Sequence, residues 1–238
     1  MNENKKYALI LRGHIRDGFN NSKLKDFVSF LYNKKNIELD IYIQTWNKKD
    51  CTPGRSWRKT RCNLDPITDT TILNYFDNSY NLNIHILDET KINFKNIESD
   101  ERLGGCNKIG WKFMWYGIYY ITKIIYDSKI NYDTVINTRH DIFSDNLKRY
   151  MKTNGINYNL NEENPYIDIY NFILEHNDKN IRFFIDSEKP GVDNFYIGKI
   201  DYLYRLADMF HNNIEDTINN VGLDYCQEKM VYKASKLL

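Results

Sequence analysis

Charged residues gather where apolar runs stop, and their types suit the handling of a phosphorylated ligand. Arg12-Gly13-His14-Ile15-Arg16-Asp17 follows the run Tyr7-Ala8-Leu9-Ile10-Leu11. Guanidinium groups on either side of a glycine can grip a diphosphate through charge-assisted hydrogen bonds, while Gly13 lets the backbone approach closely. The plainer reading is a turn with an Arg16–Asp17 surface pair. Asn137-Thr138-Arg139-His140-Asp141 closes a second apolar run. A carboxylate at such a strand end, Asp141, can hold a divalent metal that neutralises a diphosphate or can contact a sugar, with His140 as another candidate ligand. The plainer reading there is an Arg139–Asp141 ion pair closing a turn. Asp193, in Val192-Asp193-Asn194-Phe195-Tyr196-Ile197-Gly198, is a candidate general base towards a hydroxyl, or an ordinary turn residue after Pro190-Gly191. Trp46, Trp57 and Arg58 supply aromatic faces and a cation for a base, sugar or phosphate, and Trp57 equally suits a loop anchor. His211, Glu228 and Lys229 match no metal spacing and read as solvated or capping groups.

The elements that must position these residues alternate. The run 7–11 is a short buried strand, and Leu24, Phe27, Val28 and Leu31 recur at helical spacing over about 22–34. Strands are expected at 39–45 and 82–87, separated by a helix capped by Asp65 with Pro66 in its first turn and running to about Asp77. A long helix over 109–128 directs Trp111, Met114, Trp115, Ile118, Ile121 and Ile125 inward and Lys112, Tyr116, Lys123 and Asp127 outward. Further strands are expected at 133–138, 166–172, 182–185 and 194–197, with helices at 147–151, 201–211 and on to the C-terminus. Such alternation implies a single α/β domain over 1–238, a mostly parallel sheet flanked by helices, with ligands beyond the carboxyl ends of its strands. The polar connections 47–64 and 89–108 are the expected substrate loops.

Composition removes several alternatives. With 33 Lys+Arg against 32 Asp+Glu, the chain of 238 residues lacks the net positive field of a nucleic-acid or membrane-surface binder. The longest apolar stretch, Ile118 to Tyr126, is broken by Thr122 and Lys123 and falls short of the ~20 residues of a transmembrane helix. The first residues lack the apolar core of a signal peptide, so a cytoplasmic location is expected. Cys51, Cys62, Cys106 and Cys226 are too irregularly spaced for a zinc knuckle and read as reduced thiols. G-x-G-x-x-G, Walker, G-x-S-x-G and H-E-x-x-H patterns are all missing. Abundant Asn, Ile, Lys and Tyr, with Ala only at 8, 207 and 234, point to an AT-rich genome.

Taken in order, the segments 7–17, 39–47, Ser56-Trp57-Arg58, 132–141 and 193–198 resemble small GT-A-type glycosyltransferases of giant DNA viruses (mimivirus-like), related in pattern to WavE-like and capsular-polysaccharide enzymes of bacteria. The resemblance spans about residues 7–200. It implies a Rossmann-like, nucleotide-sugar-binding domain and transfer from a nucleotide-diphosphate sugar, a UDP-sugar by first guess. The acceptor would be a hydroxyl of a glycan, a lipid-linked molecule or a protein. Under it Arg12, Gly13, Arg16, Trp57, Arg58 and Arg139 contact the donor, while Asp193 and Asp141 are catalytic. Metal-dependent members carry D-x-D at the fourth strand and bind manganese or magnesium. Here Arg139 replaces the first acid, leaving Asp141 alone in the metal-binding position. Two other readings are a non-catalytic carbohydrate- or partner-binding domain derived from a transferase, and a sugar nucleotidyltransferase, whose glycine-rich N-terminal loop is missing.

Overall fold

Tyr7 to Leu11 are fully buried because the strand they form, β1 (Lys5–Arg12), lies inside a sheet covered on both faces. In the computed structural model, residues 4–51, 63–94, 101–144, 165–185, 188 and 191–238 are described. The elements that follow β1 are α1 (Lys23–Tyr32), β2 (Ile37–Trp46), α2 (Asp69–Tyr75), β3 (Leu82–Leu87) and a short hairpin, β4 (Arg102–Leu103) with β5 (Cys106–Asn107). Next come α3 (Lys108–Asp127), β6 (Thr134–Arg139), α4 (Pro165–His176), β7 (Ile181–Phe183) and β8 (Phe195–Gly198). Helices α5 (Ile200–His211), α6 (Ile214–Val221) and α7 (Gln227–Ser235) complete the chain.

The main sheet has six strands in the order β3-β2-β1-β6-β8-β7. β1 pairs in parallel with both β2 and β6, and β2 with β3, whereas β8 runs antiparallel to β6 and to β7. Period-two alternation sends β1 side chains to two cores. Ala8 and Ile10 pack with Trp115, Ile118, Ile121 and Phe210 of α3 and α5. Tyr7, Leu9 and Leu11 pack with Phe27 and Leu31 of α1, Ile72 of α2 and Ile169 and Ile173 of α4. The result is an α/β domain with a mostly parallel sheet between helical layers, as the alternation implied. No helix among the described residues is long and apolar enough to cross a membrane.

Three expectations are corrected. Residues 166–172 form part of helix α4, not a strand: Ile169 and Ile173 are one helical turn apart and buried, and Pro165 occupies the helix's first position. Asp65-Pro66 does not start α2. Asp65 accepts from the Lys49 amide and Pro66 bridges Lys48, so the helix waits for Thr68, whose hydroxyl accepts from the Thr71 amide. Lys112 is not an outward residue of α3; it is half-buried and donates to the His211 carbonyl. The helix expected at 147–151 lies outside the described residues.

Candidate functional site

Strands β2 and β3 follow β1 to one side of it, and the chain then crosses to place β6 on the other. In open α/β sheets such a switch point, beyond the carboxyl ends of the strands, is where ligands commonly bind. Arg12 and Arg139 are paired at the last register position of β1 and β6, so both reach this edge. β8 is reversed, and Thr138 pairs with Phe195, so the start of β8 lies at the same edge. The turn Val192–Asn194 therefore brings Asp193 and Asn194 to the ends of β1 and β6.

Asp141 is the centre of the ionic network and is 1% exposed. Arg139 grips it with a two-point fork, Nε to Oδ1 at 2.7 Å and Nη2 to Oδ2 at 2.6 Å. Arg16 Nη1 adds a third bond to Oδ2 at 3.1 Å. Arg139 Nη1 also donates to Asn194 Oδ1 at 3.0 Å, and Arg16 Nε to Asp50 Oδ1 at 3.3 Å. The Arg139–Asp141 pair does close the turn after β6, but it does so together with groups from two other loops. Arg16 holds a positive φ of 51°. A non-glycine residue there costs about 1–3 kcal/mol, which the bonds to Asp50 and Asp141 and from its own amide to the Lys49 carbonyl help offset.

Arg12 lies deeper than its neighbours in the motif suggest. It is 2% exposed, donates from Nε to Asn137 Oδ1 at 2.7 Å and from Nη2 to the Asp193 carbonyl, and stands 3.8 Å from the Asp193 carboxylate. The geometry makes it a strut between β1, β6 and the Asp193 turn. Gly13, at φ +88°, turns the chain out of β1, and its amide donates to Gln44 Oε1 at 3.1 Å. Gly18 approaches the end of β6 so closely that a Cβ would stand 2.4 Å from the His140 carbonyl oxygen. His140 is wholly buried, donates from Nε2 to the Gln44 carbonyl at 3.1 Å, and is lowered to about 4 chiefly by burial. It is a neutral structural imidazole rather than an exposed ligand.

Asp193 differs from Asp141 in how it is held. Its residue is 4% exposed, yet its carboxylate accepts no hydrogen bond among the described residues, and Arg12 is its nearest cation. Glu228, from the start of α7, is close enough that the Asp193 charge, after burial, raises its pKa. The Cys226 thiol donates to Glu228 Oε2 at 3.0 Å, and burial pushes Cys226 to about 12 and Cys106 to about 11, so both thiols stay protonated. Glu228, expected to be a solvated or capping group, is instead partly buried, because α7 packs on the turn. Sequence spacing missed Glu89, 1% exposed, which pairs with His14 Nε2 at 3.0 Å while His14 stacks on the buried Trp46. Trp57 and Arg58 lie outside the described residues.

A divalent cation needs several oxygen ligands. Both oxygens of Asp141 are engaged by guanidinium groups, while Asp50 is paired with Arg16 and Asp193 with Arg12. No group of three His, Cys, Asp or Glu that could hold a metal occurs among the described residues. A dication at Asp141 would have to displace two cations and then sit against them. The described residues around Asp141 do not fit one.

Fold and site together define an α/β domain with a largely buried ionic cluster beyond the carboxyl ends of β1 and β6, at the point where its strand order reverses. Comparison of the chain with protein-family models, curated proteins and solved structures finds no match in any of the three.

Proposed function

We propose that the protein is a glycosyltransferase that moves a sugar from a nucleotide-diphosphate donor to an acceptor hydroxyl. One observation carries the reading: a buried carboxylate that accepts no hydrogen bond among the described residues, Asp193, stands one residue from Asn194, which Arg139 Nη1 contacts at 3.0 Å. On this reading Asp193 takes the acceptor proton and the arginines of the cluster hold the anionic leaving group, the two roles that displacement of a diphosphate requires. The motifs at residues 7–17, 132–141 and 193–198 point the same way.

In the step, the acceptor oxygen forms a bond to the anomeric carbon. The bond from that carbon to the terminal phosphate oxygen breaks, and its electron pair leaves with the nucleoside diphosphate. The acceptor proton passes to Asp193. Arg16 and Arg139 receive the diphosphate, Gly13 shapes the loop beside it, and Arg12 holds the base in place. Asp141 orients the two guanidinium groups.

The test is a panel of nucleotide sugars screened by thermal shift, followed by acceptor-dependent turnover with the donor that stabilises. Asp193→Asn should lower kcat by about 10²–10⁴-fold, the usual contribution of a general base, while donor binding persists. Full activity of that variant removes Asp193 from the chemistry. The complete pairing of Asp141 favours one other reading, a domain that binds a nucleotide sugar without turning it over. Slow release of free sugar from the donor, without acceptor, distinguishes the enzyme from that binding domain.

A further inference from the structure

The network around Asp141 is layered. Its carboxylate is 1% exposed, whereas the side chains of Arg16 and Arg139 that cover it are 19% and 21% exposed. Solvent therefore reaches the guanidinium groups and not the carboxylate. Arg16 spends Nε on Asp50 and Nη1 on Asp141, and its Nη2 makes no hydrogen bond among the described residues. Its positive φ is held by those same contacts, so the guanidinium is fixed in place before a ligand arrives. Arg139 is fixed likewise by its two-point fork on Asp141 and its bond to Asn194. A rigid, partly exposed guanidinium pair is a geometry for phosphate oxygens, because planar forks match them and little rotamer freedom remains to be lost.

We infer that Arg16 and Arg139, oriented by the buried Asp141, take the place of a divalent cation, so that the donor diphosphate is bound and its developing charge stabilised without metal. Asp141 is on this account a positioning residue and not a ligand. The inference rests on the transferase reading and adds to it the means by which the leaving group is held. It makes an unusual demand on Asp141: removing its charge leaves two cations less neutralised, which favours an anion, whereas removing the charge of a metal ligand destroys the anion site. Asp141→Asn and Arg16→Ala therefore act in opposite directions.

Calorimetric titration of the wild-type chain with UDP, GDP, ADP and dTDP, each in excess EDTA and again in millimolar manganese chloride, tests the inference. One of these nucleotides should bind with an affinity that changes less than about twofold between the two conditions. Arg16→Ala should weaken it about ten- to a hundredfold, the size of a lost charged hydrogen bond. Asp141→Asn, where it folds, should bind at least as tightly as wild type, and the wild-type comparison stands if it does not fold. Binding that appears only with manganese, or tightens more than about tenfold with it, overturns the inference and leaves the transferase reading intact. Binding unaffected by Arg16→Ala also overturns it. No binding of any of the four nucleotides in either condition overturns the transferase reading together with the inference.

Discussion

Glu228 keeps its proton to higher pH than an exposed glutamate because burial, and then the charge of Asp193, oppose its ionisation. A carboxyl whose pKa is raised on folding binds its proton more tightly in the native state. Its contribution to stability is therefore complete below the unfolded value, about 4.3, and is lost as pH rises through the folded one. Glu228→Gln should accordingly raise Tm at pH about 7, with the gain shrinking towards pH about 4. Equal shifts at both pH values would show that Glu228 is not destabilised by its surroundings. At this scale the sequence located the charged cluster at strand ends, with Arg16 in the loop after β1, Arg139 and Asp141 at the end of β6 and Asp193 just before β8. Arg12 was legible by position but not by depth. Nothing in Tyr225-Cys226-Gln227-Glu228 signals a partner for an acid 35 positions earlier in the chain, since only tertiary packing supplies it.

Elements carry the second kind of constraint. The segment from Gly13 to Gly18 leaves β1 and must return against the end of β6, where the His140 carbonyl leaves no space for a Cβ at Gly18. Gly18→Ala should move this segment, and Arg16 with it. The expected cost is about 1–3 kcal/mol of stability by overpacking, together with weaker nucleotide binding. Urea unfolding and titration check the two effects separately, and a variant unchanged in both would mean the loop yields without consequence. Strong periodicity made α1, α3 and α5 legible, because α1 and α3 each lay one apolar face on the sheet and α5 lays its own on α3. α4 was misread because Tyr166-Ile167-Asp168-Ile169-Tyr170 alternates and is rich in strand-forming types. Its burial settles the matter: the buried pair Ile169 and Ile173 follows a helical period, with Pro165 as the start signal. The competing signal at Asp65-Pro66 failed because that segment pairs with residues 47–50.

The whole molecule determines what neither scale can. That the sheet is mostly parallel follows from alternating elements, but the order β3-β2-β1-β6-β8-β7 and the reversal of β8 have no local signature. They arise from pairing across long stretches of chain. Support for the Asp193 turn likewise comes from far away: α7 packs on it, with Met230, Val231 and Ala234 fully buried in the core shared with α3 and α5. Met230→Ala should cost about 2–5 kcal/mol in denaturant unfolding through the cavity it leaves. Turnover should fall as well, since the helix that backs the base would be loosened; a loss of stability with turnover untouched would show that the turn is rigid without α7. The reversed strand also bears on synthesis. Arg12 precedes its Asp193 partner by 181 positions. Segments that emerge earlier begin to fold earlier, so the nascent chain carries this arginine without its carboxylate until the turn before β8 is made. The site is thus assembled late, and a chain stalled before β8 would have most of its sheet but an incomplete site.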